Sequence, residues 1–185
     1  MVNTDAGPTA AHAKPLRLHR ATDADAADYA RIARDTFYDS YAAMSDPAMM
    51  ATHLHRNFSE QIQRTELRDP HTVVLVAREA SGTWAGFVSL RTDAGPSCVT
   101  ANAPLQLARL YVVRAWHGRG AGAFLLEATL DHARRGGHDA VWLQVWDRNA
   151  RARRFYEKHG FAPVGTHPYQ FADAWEDDLV LQRGV

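Results

Sequence analysis

The residues best equipped for chemistry fall in two clusters in the second half of the chain. One is the glycine-spaced turn His117-Gly118-Arg119-Gly120-Ala121-Gly122, and the other is the run Asn149-Ala150-Arg151-Ala152-Arg153-Arg154-Phe155-Tyr156. The turn follows an apolar run, Leu105 to Val113, and opens a pattern of Phe124, Leu125, Ala128, Thr129 and His132 that has helical spacing. That combination reads as strand, turn, helix. At such a junction the first backbone N–H groups of the helix have no intrahelical partner and carry the positive end of the helix dipole. They can hold a pyrophosphate. Glycine at 118, 120 and 122 lets the backbone approach the anion with no Cβ in the way, and Arg119 supplies a cation at the same place. In the second cluster, Asn149 has the side chain of a helix N-cap.

A dinucleotide-binding turn is the rival reading, because Gly118, Gly120 and Ala123 satisfy G-x-G-x-x-A and Asp139 lies at a plausible distance for a ribose contact. The context disfavours it. Such a turn leaves its strand at once in the first βαβ unit, whereas Arg114-Ala115-Trp116-His117 intervene here and the turn lies past mid-chain. A helix start with tight-packing glycines and no ligand is the bland alternative.

The elements that must position these clusters can be read in order. Leu16-Arg17-Leu18 starts a strand, and Thr22 with Asp25 forms a capping box for a helix that puts Ala26, Tyr29, Ala30, Ala33 and Phe37 on one face. Asp46-Pro47 opens a second helix running to Leu67. Thr72 to Ala77 and Trp84 to Leu90 are β-rich runs joined through Glu79-Ala80-Ser81-Gly82, and Asp93 to Pro104 is a loop. The strand Leu105 to Val113 and a helix from Gly120 to Arg135, stopped by Gly136-Gly137, come next. A buried strand Ala140 to Trp146, a helix Ala150 to His159, and strands Ala162 to Thr166 and Asp178 to Gln182 complete the α/β order.

Composition narrows the partners. The 185 residues suit one domain, expected over residues 14–185, behind a disordered tail over residues 1–13 that is rich in Ala, Gly, Thr and Pro. The formal charge of +0 gives no general electrostatic case for nucleic acid or an anionic membrane, so small ligands are expected. The single cysteine, Cys98, cannot form an internal disulfide, and no segment has the length of a signal core or membrane span, so a cytoplasmic location is expected. No HExxH pattern occurs, His53 and His55 would face different ways on a helix, and no metal site is expected. Trp142 and Trp146 share one strand face, as core or sheet cover rather than a stacking platform.

The turn resembles the acyl-CoA-binding segment of the GNAT superfamily of N-acetyltransferases, whose pattern is Gln or Arg, two residues, Gly, one residue, Gly or Ala. It lies on His117, Gly120 and Gly122, with His117 in place of Gln or Arg. Downstream, Asn149, Ala152, Phe155, Tyr156, Gly160 and Phe161 look like the family's second signature, a short helix over the pantetheine. The resemblance implies the acyl-CoA N-acyltransferase fold: a central mixed, mostly antiparallel sheet splayed at the strand 105–113 and flanked by about four helices. It implies acetyl-CoA as co-substrate, no metal, and transfer of acetyl to a primary amine of a small molecule by direct attack. Cofactor contacts fall on Leu110, Tyr111, Val112, the turn His117, Gly118, Arg119, Gly120, Ala121 and Gly122, and on Asn149 and Tyr156. Leu110-Tyr111-Val112 would contribute main chain, and Tyr156, a phenol protonated at neutral pH, would be the general acid for the departing thiolate.

The resemblance leaves the general base open. Many relatives place a glutamate in register with Gln106, and an amide cannot take a proton at neutral pH. His71, Glu60 and Asp147 are conceivable substitutes and none is assigned. Val141 to Asp147, Gly165-Thr166-His167 and the acidic run Asp173 to Asp178 resemble the bacterial spermidine and spermine N-acetyltransferase branch, which suggests a polyamine acceptor. A protein or peptide N-terminal amine is the alternative acceptor, and a non-catalytic acetyl-CoA-binding module is the alternative from another class. Relatives are often homodimers.

Overall fold

The computed structural model describes residues 15–185, and the tail expected over residues 1–13 lies outside them. Seven strands and five helices follow in the order β1 (Arg17–Arg20), α1 (Ala26–Tyr41), α2 (Pro47–Asn57), α3 (Glu60–Arg68), β2 (Thr72–Arg78), β3 (Trp84–Arg91), β4 (Pro104–Val112), α4 (Ala121–Arg135), β5 (Ala140–Val145), α5 (Ala150–Lys158), β6 (Ala162–Phe171) and β7 (Ala174–Gly184). The sheet order is β1-β2-β3-β4-β5-β7-β6. Every neighbouring pair is antiparallel except β4 with β5.

Side-chain alternation on the strands divides the apolar residues between two layers. Leu75, Val88, Leu105 and Leu143 pack with Leu125, Leu126 and Leu130 of α4 and Tyr156 of α5. On the opposite face, Val74, Val76 and Phe87 meet Tyr29, Ile32 and Phe37 of α1 and Met50 of α2.

Two expectations change in detail. The helix expected from Asp46 to Leu67 is two helices, because the Ser59 side chain accepts from the Ile62 N–H and starts α3 anew. The closing strands are longer than their apolar segments suggest: β6 and β7 form one hairpin from Ala162 to Gly184 that carries the acidic run. Exposed charged positions in that hairpin hide its period-2 pattern.

Candidate active site

Pairing between β4 and β5 covers only Pro104–Gln106 against Ala140–Trp142. Beyond it, β4 stays on β3 as far as Val112 and β5 stays on β7 as far as Val145, so the two facing edges part. This is the splay expected at strand 105–113. It leaves main-chain groups of β4 beyond Gln106 without ladder partners on the β5 side, and apart from the Val112 carbonyl, which His117 occupies, they are open to a ligand that lies between the strands.

The β3–β4 register slips at the same level, where Ser89 faces Arg109 and Leu90 faces Leu107. Ala108 is therefore an inserted residue, and the bulge reverses the alternation along β4. Leu105 and Leu107 before it, and Leu110 and Val112 after it, all turn to the α4–α5 face. Gln106, Ala108, Arg109 and Tyr111 all turn to the α1–α2 face. A regular strand would have placed Gln106 and Tyr111 on opposite faces.

On the α4–α5 face, Gly118 (φ 73°) and Gly120 (φ 85°) hold the left-handed turn that glycine alone adopts without strain. A Cβ built at either position meets nothing within 4 Å, so the space above the turn is open. Gly120 is the N-cap of α4 and offers no side-chain acceptor, which leaves the first N–H groups of the helix to an outside anion. At Gly122 a Cβ would meet Phe155 Cε2 at 3.4 Å, so this glycine serves the packing of α4 against α5.

His117 is held by two bonds: its Nε2 donates to the Val112 carbonyl at 2.9 Å, and its Nδ1 accepts from Arg151 Nη1 at 3.4 Å. The second bond fixes the Nε2–H tautomer. Asn149 caps α5 by accepting from the Ala152 N–H at 3.0 Å. Two turns of helix beyond the cap, Tyr156 is buried edge-on between Phe155 and Phe161. Burial pushes its phenol pKa above the usual value, and the nearby Tyr41 adds to the shift.

On the other face of the same gap lies a cavity of about 450 Å³, lined from α1 and α2 by Phe37, Tyr41 and His53, from β4 by Gln106, Arg109 and Tyr111, and from β5 to β7 by Gln144, Trp146, Tyr169, Glu176 and Asp178. Tyr41 spans the gap. Its ring meets Trp146 edge-on at 6.2 Å, and Asn149 and Tyr111 lie near its hydroxyl. Arg109 braces the cavity floor, donating to Glu66 Oε2 at 2.9 Å, to Gln63 Oε1 at 3.1 Å and to the Tyr29 hydroxyl at 3.1 Å. His53 is stacked between Phe37 and Phe171, and burial, aided by Arg109, depresses its pKa to about 4, so it is neutral.

The residues singled out in the sequence thus gather around one gap: the turn, Asn149 and Tyr156 on one side, Leu110-Tyr111-Val112 along its edge, and Gln106 at its closed end. The three conceivable bases lie elsewhere. Glu60 pairs with Arg64, Asp147 pairs with Arg153 at 2.7 Å, and His71 sits in the turn before β2. Tyr41 and Arg109 carry no site signal in the sequence, since Tyr41 enters from the end of α1 and Arg109 through the bulge, whereas Asp178 closes the acidic run and enters on the long hairpin. Alternation in Glu176, Asp178 and Val180 was the available signal.

Residues 31–161 match the model of the acetyltransferase (GNAT) family. An uncharacterized N-acetyltransferase of Mycobacterium tuberculosis is 33% identical over 163 residues, covering 88% of this chain and 97% of that protein. A second relative, an uncharacterized N-acetyltransferase of Lactobacillus delbrueckii subsp. lactis, is 24% identical over 170 residues, covering 92% and 98% of the two chains. In fold, the chain is similar to the PaiA N-acetyltransferase of Thermoplasma acidophilum solved with coenzyme A, with a TM-score of 0.73 at 18% identity, covering 92% of this chain and 99% of that one. The architecture is that of the acyl-CoA N-acyltransferases. The chain belongs to the GNAT acetyltransferase family, and it is an acetyl-CoA-dependent N-acetyltransferase. The open space over Gly118 and Gly120 and the unpaired edge of β4 fit the co-substrate. Among the described residues, no group of three His, Cys, Asp or Glu side chains could share a metal ion, and no helix is long and apolar enough to cross a membrane.

Proposed function

We propose that this enzyme moves acetyl from acetyl-CoA to the primary amine of a small molecule by direct attack, with the two substrates meeting in the gap between β4 and β5. The observation that carries this reading is the gap itself. It opens to the glycine turn on one face and to the cavity on the other, so an acyl donor held by the turn presents its carbonyl to an amine in the cavity.

In this reading the N–H groups from Gly118 to Gly122 hold the pyrophosphate, with Arg119 beside them, and His117 acts indirectly by fixing the strand end to α5. The main chain of Leu110-Tyr111-Val112 orients the pantetheine and polarises the carbonyl. Asn149 sets the start of α5. Tyr156 protonates the departing sulphur. A phenol of reference pKa about 10 is weaker than a thiol of about 8.5, and burial widens that difference. Tyr156 therefore delivers its proton as the C–S bond breaks and recovers one from the acylated nitrogen, which is far more acidic.

Spermidine and spermine head the list of acceptors to test, because Glu176 and Asp178 from the acidic run line the cavity. We take residues 14–185 as one catalytic domain and assign it to the cytoplasm, where an unpaired cysteine such as Cys98 is stable. The test is a panel of alkylamines, polyamines, amino sugars and peptide N-termini, followed by thiol release from acetyl-CoA. Release that depends on a small primary amine is expected. Release with peptides alone would replace the acceptor class, and tight acetyl-CoA binding with no release on any amine would replace the enzyme reading.

A further inference from the structure

We propose that Asp178 receives the ammonium group of the acceptor and takes its proton, and that this carboxylate fits the enzyme to cationic primary amines. The inference rests on the reading above, that an amine is acetylated in the cavity between β4 and β5. Asp178 is 7% exposed, lines that cavity, and no hydrogen bond or ion pair engages its carboxylate among the described residues. A buried acid without a cation is costly to ionise, so the missing partner is a property to be explained. A ligand ammonium is the partner that the geometry admits.

The surroundings favour a cation over any other guest. Burial, with a contribution from Glu176, raises the pKa of Asp178 to about 6, so at neutral pH it is ionised and can still accept a proton. Tyr169 and Tyr41 face it from β6 and α1, Tyr111 of β4 lines the same cavity, and burial pushes all three phenols up, Tyr169 to about 12, so they remain neutral. His53 from α2 is neutral, and Asp46 caps that helix by accepting from the Ala48 and Met49 N–H groups. The cations of the lining are engaged: Arg109 by Glu66, Arg91 by Glu66 at 3.5 Å, and Arg148 over the Trp146 ring at 5.7 Å. His167 lies across the hairpin from Asp178 as its β6 partner. Trp146 and Tyr41 add aromatic faces suited to an alkylammonium.

The proton balance closes. The ammonium gives one proton to Asp178, which passes it to solvent. The free amine forms the C–N bond as the C–S bond breaks, the thiolate takes the Tyr156 proton, and the acylated nitrogen returns a proton to Tyr156. One acetyl moves and one proton is released.

The test is the pH dependence of kcat/KM for the parent, Asp178→Asn and Glu176→Gln, with acetyl-CoA and spermidine, or the alkylamine that outperforms it in the panel. The parent should show an acidic limb near pH 6. Asp178→Asn must use amine that is already neutral, so its limb should move toward the amine pKa of about 10 and its rate at pH 7 should fall roughly a thousandfold, recovering near pH 10. Glu176→Gln should shift the parent limb to lower pH, which a merely structural role for Asp178 would not produce. Circular dichroism and acetyl-CoA affinity confirm that each variant is folded. An Asp178→Asn enzyme that keeps the limb near pH 6, stays within tenfold of the parent at pH 7, or does not recover at pH 10 while folded overturns the proposal. A parent that acetylates no cationic amine removes the reading beneath it instead.

Discussion

Gln106 and Trp142 are the last partners across the parallel seam between β4 and β5, and the site begins where their pairing ends. Two residues beyond Gln106, the inserted Ala108 bends β4 and brings Arg109 and Tyr111 onto the face that Gln106 already occupies. The same short stretch of strand therefore opens the gap and lines the cavity behind it.

Acetyl-CoA affinity should depend on the turn. Gly120→Trp places an indole in the open space above the α4 N-terminus and forces a side chain onto a φ of 85°. The backbone strain costs about 1–2 kcal/mol, too little to unfold the protein. Calorimetry should find acetyl-CoA binding lost from a folded variant. Unchanged affinity would show that the pyrophosphate lies elsewhere.

Tyr156→Phe keeps the packed ring and removes the proton donor. Turnover should fall about a hundredfold or more with acetyl-CoA affinity nearly intact. A parallel loss of affinity and melting temperature would mark a packing role against Phe155 and Phe161.

Much of this site can be read from the sequence because its signals are local. The glycines, the Asn149 cap and the helix to Tyr156 depend on near neighbours in the chain, and the structure keeps all three. The failures are one local cap and two tertiary effects. Ser59 splits one expected helix by a side-chain cap that the apolar period runs straight through. The bulge at Ala108 depends on how β4 registers with β3, which alternation along β4 cannot reveal. Asp178 looks like the polar first residue of a short strand, and only the full length of the β6–β7 hairpin buries it.

Gln106 lines the cavity at the closed end of the gap, but its amide cannot take a proton. Gln106→Ala should alter kcat by less than about tenfold, and Gln106→Glu should raise kcat/KM on the acidic side by adding a second acceptor. The pH profiles with one fixed amine decide. A hundredfold collapse in the alanine variant with binding preserved would give the amide an indispensable role.

Arg109 is a strut whose removal takes from the buried Glu66 its closest cation. Breaking such a pair from one side costs about 3–5 kcal/mol. Arg109→Met should lower the melting temperature by roughly 10 °C for a chain of this size, whereas Arg31→Met, at an exposed i,i+3 pair with Asp28, should change it little. Equal effects in thermal denaturation would contradict the buried network.

Stability should also report Asp178. Its pKa is raised by folding, so the protein is favoured while the group is protonated and loses that advantage as pH rises from the unfolded value of 3.8 through about 6. Asp178→Asn should therefore melt higher than the parent above pH 6 and close to it below pH 4. A difference that is constant with pH would mean that the carboxylate is not strained by its burial.

Direct transfer between ligands held on opposite faces of one gap is tested most directly by initial-velocity kinetics, varying acetyl-CoA at several fixed amine concentrations. Intersecting double-reciprocal lines are expected, with no burst of thiol from acetyl-CoA before amine is added. Parallel lines with a stoichiometric thiol burst would show an acetylated enzyme and contradict it.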